Sequence, residues 1–152
     1  MDLDLTNLHK AINSLSEILE VYESFSTSEF SDEKVIRGLR AGVVQNFEFT
    51  FELSWKFMKR WLEINVSPTT DHVFTRRELF RYAAQVGLID DVAKWFKYHE
   101  TRNITSHTYD EEKANIVVEN AIVFKEDAIA LYNALEERNA LGERDALGEH
   151  NQ

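Results

Sequence analysis

No cysteine occurs in the 152 residues, so disulfides and thiolate chemistry are excluded and the redox compartment leaves no trace. A single proline, Pro68, and five glycines leave little material for a turn-dense β fold. No uncharged run approaches the roughly 18 apolar residues of a membrane span. The opening Met1-Asp2-Leu3-Asp4 lacks the basic and apolar regions of a secretory signal. The expectation is a soluble cytoplasmic protein with no membrane attachment. Basic charge is also in short supply: 17 Lys and Arg stand against 27 Asp and Glu, for a net charge of −10. Such a balance argues against indiscriminate nucleic-acid binding and against DNA as a ligand.

What is present is ordinary for a globular domain, with 43% hydrophobic and 29% charged residues. The acidic excess is unevenly placed. Residues 1–69 carry 7 basic and 11 acidic side chains, residues 110–152 carry 4 and 11, and residues 70–109 carry 6 and 5. The near-neutral middle segment also holds three of the five histidines. An anionic ligand is therefore admissible there.

The apolar spacing is helical almost throughout. Leu8, Ile12, Leu15, Leu19 and Tyr22 form one stripe and predict a first helix over roughly 6–24. The serine-rich stretch Ser24 to Ser31 reads as a loop. Val35, Leu39, Val43, Phe47, Phe51, Trp55, Met58 and Leu62 predict a long second helix from about Asp32 to Ile64, with bends expected at Gly38 and Gly42. The stretch Asn65 to Thr70, with Pro68, ends it. Thr75 and Glu78 make a capping box for a third helix whose stripe is Leu79, Tyr82, Ala83 and Val86, closed by Gly87. Asp90 is the expected cap of a fourth helix ending near Arg102, and Thr108 with Glu111 that of the last one. Ala114, Val117, Ala121, Phe124, Ala128, Leu131 and Leu135 give the last helix its inward face. The fold expected is all-α: an antiparallel up-and-down four-helix bundle with an interrupted third helix.

The near-repeat Glu137-Arg138-Asn139-Ala140-Leu141-Gly142 and Glu143-Arg144-Asp145-Ala146-Leu147-Gly148 fits neither a heptad nor a solenoid unit. The division expected is a bundle domain over 1–136 and a frayed, charged tail over 137–152.

Chemistry concentrates in Arg102-Asn103-Ile104-Thr105-Ser106-His107-Thr108-Tyr109. Arginine offers a planar fork of donors to a phosphate or a developing phosphorane. Histidine five positions later can exchange a proton with a hydroxyl near neutral pH. Together they suffice for phosphodiester chemistry without a metal. The plainer reading of the same spacing is a solvated arginine, a connector histidine and a tyrosine plug. In the second helix Glu48, Glu52 and Lys56 recur every four residues on one face. That carboxylate pair either positions Arg102 or a substrate group, with Lys56 balancing the charge, or is an intrahelical ion-pair ladder. Phe49, Leu53 and Phe57 lie on a further apolar face, as a helix packed against a second subunit would show.

Other patterns carry less. Arg76, Arg77, Arg81, Lys94 and Lys97 form either a basic rim or a solvated face. His72, His99 and His107 lack the spacing of a zinc site, and no glycine-rich phosphate loop occurs, so neither metal nor cofactor is expected.

Arg102-Asn103-x-x-x-His107 resembles the R-N-x-x-x-H motif of the HEPN superfamily. With Tyr109 it becomes R-x4-H-x-Y, the form of the HepT-like toxins, also called nucleotidyltransferase substrate-binding proteins. The segment Gln45 to Lys56 is similar to the second-helix segment of that family, and the resemblance spans about residues 5–135. It implies a homodimer with a cleft between two motif copies and metal-independent cleavage of RNA, transfer RNA among the candidates. By the resemblance His107 moves protons, Arg102 stabilises the phosphorane and Asn103 orients the phosphate or the local backbone. Tyr109 is where a partner MntA-like nucleotidyltransferase antitoxin attaches AMP. A second reading keeps the partner and drops the catalysis: a binding subunit that presents substrate to a separate nucleotidyltransferase. A third is a purely structural helical dimer.

Overall fold

The computed structural model describes residues 2–66 and 74–150, with side chains described through residue 142. Five helices follow one another: α1 (Thr6–Ser26), α2 (Glu33–Asn65), α3 (Arg76–Gln85), α4 (Val92–Ile104) and α5 (Glu111–His150). A 3₁₀ turn, Thr105–His107, separates α4 from α5, and no strand occurs among the described residues. The short α3 and α4 together occupy the third position of the bundle, so the expected interruption is present. Asn65 ends α2 as expected, whereas Ser67 to Thr70 lie outside the described residues.

The inward stripes explain why these segments are helices. All seven residues expected on the inner face of α5, from Ala114 to Leu135, are buried. Phe47, Phe51, Phe80, Trp95, Tyr98 and Phe124 meet as one aromatic cluster at the centre. Within it Phe47 stands edge-on to Phe124 at 5.2 Å and Tyr98 edge-on to Phe124 at 5.1 Å, an arrangement that aromatic quadrupoles favour. Gly42 lets α1 approach closely, since a Cβ there would meet the Ile18 side chain at 3.3 Å. α2 runs unbroken through both Gly38 and Gly42.

Several local expectations need correction. The cap of α4 is Asp91, whose Oδ1 accepts from the amides of Ala93 and Lys94, not Asp90. The cap of α5 is Asp110, which accepts from Glu112 and Lys113; Thr108 instead donates to the Thr105 carbonyl and so extends the preceding turn. In α3 the core takes Phe80, and Tyr82 stays outside at 40% exposure. Val35, expected on the inner stripe of α2, is exposed. The Thr75–Glu78 cap forms as expected, and Gly87 supplies a positive φ of 82° after α3.

α5 does not stop at residue 136. Arg138 donates to the Val86 carbonyl at 2.5 Å and stands over the Trp61 ring. Asn139 exchanges two hydrogen bonds with the backbone of Leu3, at 3.2 and 2.9 Å. Of the first residues of the expected tail, Arg138 therefore ties α5 to the end of α3 and Asn139 ties it to the N-terminal segment.

Candidate functional site

The site begins with how α4 is fixed. Tyr98, buried in the aromatic cluster, donates its hydroxyl to Asp127 on α5. One turn later the Thr101 hydroxyl accepts from the Asn120 amide at 2.9 Å and donates to the Lys97 carbonyl. Burial and the Asp127 carboxylate both push the Tyr98 phenol well above its ordinary range, so it remains a donor. These two links anchor the C-terminal half of α4 against α5. The next residue is Arg102.

Arg102 turns toward α2. Its Nε donates to Glu52 Oε1 at 3.2 Å, its Nη2 pairs with Glu48 Oε1 at 3.2 Å, and its Nη1 donates to the Thr105 hydroxyl at 3.0 Å. Thr105 in turn donates to the Arg102 carbonyl at 2.8 Å, which closes the loop at the start of the 3₁₀ turn. The i, i+4 carboxylates of α2 thus serve an arginine on another helix, and the ladder reading is overturned. Lys56 joins neither carboxylate among the described residues; its Nζ lies 5.6 Å from the Trp55 ring centroid. Each Nη of Arg102 keeps a second N–H, and the side chain is 31% exposed, so the guanidinium can still meet a ligand.

His107 ends the 3₁₀ turn and is exposed, with its ring edge-on to Tyr109 at 6.2 Å. Tyr109 is 86% exposed and is therefore no hydrophobic plug. Asn103, on the last turn of α4, is exposed and has no hydrogen-bond partner among the described residues. The turn therefore displays an imidazole and a phenol to solvent beside an arginine held by two carboxylates and a hydroxyl. Glu48, Glu52 and Lys56 border an open groove on α2 together with Phe49 and Leu53. Phe49 is 60% exposed, whereas Phe57, expected on the same free face, is buried in this chain's own core.

Three nearby residues were not singled out as functional from the sequence. Thr105 carried no motif signal beyond its place between Arg102 and His107. His99 packs against Phe51 and Phe80, with Nδ1 buried and unpartnered among the described residues. Burial, then Arg76, hold its imidazole below the ordinary value, with the Glu52 carboxylate opposing. Arg40 is 6% exposed and is fixed by Asn115, which lies 75 positions away, so local pattern could not reveal it. The arginines weighed as a basic rim or a solvated face lie over aromatic rings: Arg76 over Trp55, Arg77 and Arg81 over Phe96. Among the described residues no group of His, Asp and Glu could hold a metal ion, and no helix is long and apolar enough to cross a membrane.

Residues 3–137 match the family model described as nucleotidyltransferase substrate binding protein like. A relative from Haemophilus influenzae, named as a probable ribonuclease HepT, is 37% identical over 137 residues, covering 90% of this chain and 94% of its own. A solved Haemophilus influenzae structure, described as the fold of a substrate binding domain of a nucleotidyltransferase, superposes with a TM-score of 0.82 at 36% identity. It covers 88% of this chain and 99% of its own. A Thermus thermophilus structure at 21% identity shares the fold with a TM-score of 0.58, covering 80% of this chain and 98% of its own. With the match running through all five helices and the whole site, the chain belongs to the HepT-like family of nucleotidyltransferase substrate-binding proteins.

Proposed function

We propose that the protein is a metal-independent endoribonuclease toxin, neutralised when a partner MntA-like nucleotidyltransferase transfers AMP to Tyr109. The observation that carries this reading is the 3₁₀ turn, which presents exposed His107 and Tyr109 directly after an Arg102 whose orientation Glu48, Glu52 and Thr105 fix. In cleavage the RNA 2′-hydroxyl attacks the adjacent phosphorus and gives its proton to His107. The 5′-oxygen leaves and is protonated, giving a 2′,3′-cyclic phosphate and a 5′-hydroxyl. No metal or water is consumed. Arg102 places its remaining N–H groups against the charge that grows on the phosphorane oxygens.

A homodimer supplies the second acid–base group. Phe49 and Leu53 on the exposed face of α2 are the apolar surface on which two copies would meet, bringing two Arg102–His107 pairs to one cleft. An exposed phenol at the turn suits nucleotidyl transfer: Tyr109 Oη attacks the α-phosphorus of ATP, pyrophosphate departs, and the phenolic proton passes to solvent. The resulting adduct would occupy the entrance beside His107 and exclude RNA.

The test is cleavage of labelled transfer RNA in excess EDTA by protein whose intact mass confirms an unmodified Tyr109. His107→Ala is expected to lower the rate by about 10²–10⁴ while fold and oligomer stay intact. Equal cleavage by the two proteins would sink the proposal.

One observation favours the non-catalytic reading: residues 3–137 match the family model described as nucleotidyltransferase substrate binding protein like. Saturable nucleotide binding with no cleavage of any RNA would select that role in a two-component nucleotidyltransferase.

A further inference from the structure

A separate cleft of about 330 Å³ opens between the N-terminal part of α2 and the entry to α5, with Tyr109 on its border. Arg37 and Arg40 contribute the cationic side chains, Glu111 a carboxylate, and Ala41 and Val44 an apolar wall. Arg37 and Arg40 are three apart and so share a face of α2. Arg37 is exposed and has no acceptor among the described residues.

Arg40 is the unusual member. It is 6% exposed, yet its ionic partners are loosely placed: Glu111 at 3.5 Å and Glu33 at 3.7 Å. Among the described residues its one hydrogen bond runs from Nη1 to Asn115 Oδ1 at 3.2 Å, and its buried Nε has no partner. A guanidinium taken out of water needs close partners to offset its desolvation. An idle buried N–H adds to that cost, and an anion in the cleft would offset it through the Nη groups, the Nε being closed to solvent.

The lining discriminates among ligands. An inorganic anion would use the arginines and leave the Ala41–Val44 wall unfilled. A neutral nucleoside would use the wall and leave the arginines unsatisfied. A phosphorylated nucleoside engages both, with Glu111 placed to accept from sugar hydroxyls and the Tyr109 ring presenting a stacking face at the border. The volume falls at the lower end of the roughly 300–1,000 Å³ of small-molecule sites.

We propose that this cleft seats one nucleoside 5′-monophosphate unit, with Arg37 and Arg40 on the phosphate and Ala41 and Val44 against the base. The unit comes either from the bound RNA strand or from the adenylate on Tyr109, so the proposal deepens the reading given above and rests on it for those two sources.

The probe is AMP, titrated into the intact chain with Tyr109 unmodified, beside adenosine and inorganic phosphate. AMP is expected to bind saturably and at least about tenfold more tightly than either fragment, and Arg37→Ala to weaken it about tenfold by removing one charge-assisted contact. Arg37 is exposed, so this variant tests the site without disturbing the core; Arg40→Lys, which keeps the charge and loses the fork, is the second variant and is expected to weaken AMP as well. AMP binding no tighter than its fragments, or unchanged by Arg37→Ala, overturns the proposal. Where AMP binds, protein adenylylated at Tyr109 separates the two sources: loss of AMP binding means that the tethered adenylate fills the seat, and retained binding leaves the seat to the RNA strand. The two readings fail separately. Loss of cleavage in His107→Ala with no AMP binding leaves the nuclease and removes the seat; AMP binding with no cleavage by the parent does the reverse.

Discussion

Arg102 on α4 and Glu52 on α2 are joined by a hydrogen bond of 3.2 Å between residues 50 positions apart, and Glu48 reaches the same guanidinium from one turn away. Both partners are about one-third exposed, so the contact contributes no more than about 1 kcal/mol to stability. Its consequence is orientation. With Glu52 and Thr105 holding Nε and Nη1, the fork has one direction in which to meet a phosphate.

Glu52→Ala is therefore expected to lower kcat for RNA by about 10–100-fold, since a misplacement of about 1 Å can cost that much, while thermal stability barely changes. Glu52→Gln keeps an acceptor for Nε without the charge and should fall between Ala and the parent. Steady-state kinetics beside thermal denaturation checks both. A lowered melting temperature with unchanged kcat would assign Glu52 to the scaffold alone.

His99 makes stability depend on pH. Burial and Arg76 hold its folded value below the ordinary 6.5, which the unfolded chain retains. The unfolded state then binds the proton more readily, so stability is full above about pH 7 and declines as pH falls below about 6.5. The decline from this group ends once pH passes below the depressed folded value. Urea denaturation of the parent and of His99→Gln across that range should show a shallower slope in the variant. Equal slopes would mean that His99 titrates alike in both states.

Long-period features were legible in the sequence because they depend on one helix at a time. The α5 stripe from Ala114 to Leu135 needs only its own spacing, and every member is buried. The Arg102-to-Tyr109 segment was legible as a candidate for a similar reason: its members lie within eight consecutive residues. What crosses between helices was not. Glu48 and Glu52 look the same on α2 whether they serve Lys56 or Arg102, and only packing chose Arg102. Arg40 reads as one more surface cation until Asn115 and Glu111 arrive from α5. Phe80 and Tyr82, two positions apart, lie on nearly opposite sides of α3, so burying Phe80 turns Tyr82 outward, where its phenolic hydroxyl stays near water.

Tyr98→Phe tests the anchor of α4. The substitution preserves the ring contacts with Trp95 and Phe124 but leaves the Asp127 carboxylate without its donor. A hydrogen bond to a charged group is worth about 1.5–3 kcal/mol, and a loss of that size is expected in chemical denaturation. Asp127→Asn in the same background should restore part of it, because the stranded charge is removed. Additive losses would show that the two residues act independently.

Two glycines should respond to alanine with opposite signs. Gly87 follows α3 at φ 82°, where its amide donates to Ala84 and the next amide, of Leu88, to Ala83. Alanine in that left-handed conformation costs about 1–2 kcal/mol because its Cβ crowds the following carbonyl. Gly38 lies within α2, and a Cβ there would meet nothing within 4 Å. Alanine at Gly38 should stabilise the fold by about 0.5–1 kcal/mol through reduced backbone freedom in the unfolded chain. The two sites share no partner, so the effects should add, and the double variant should melt between the two single variants. If Gly38→Ala destabilises the protein, the N-terminal part of α2 meets a surface in solution that one chain does not contain.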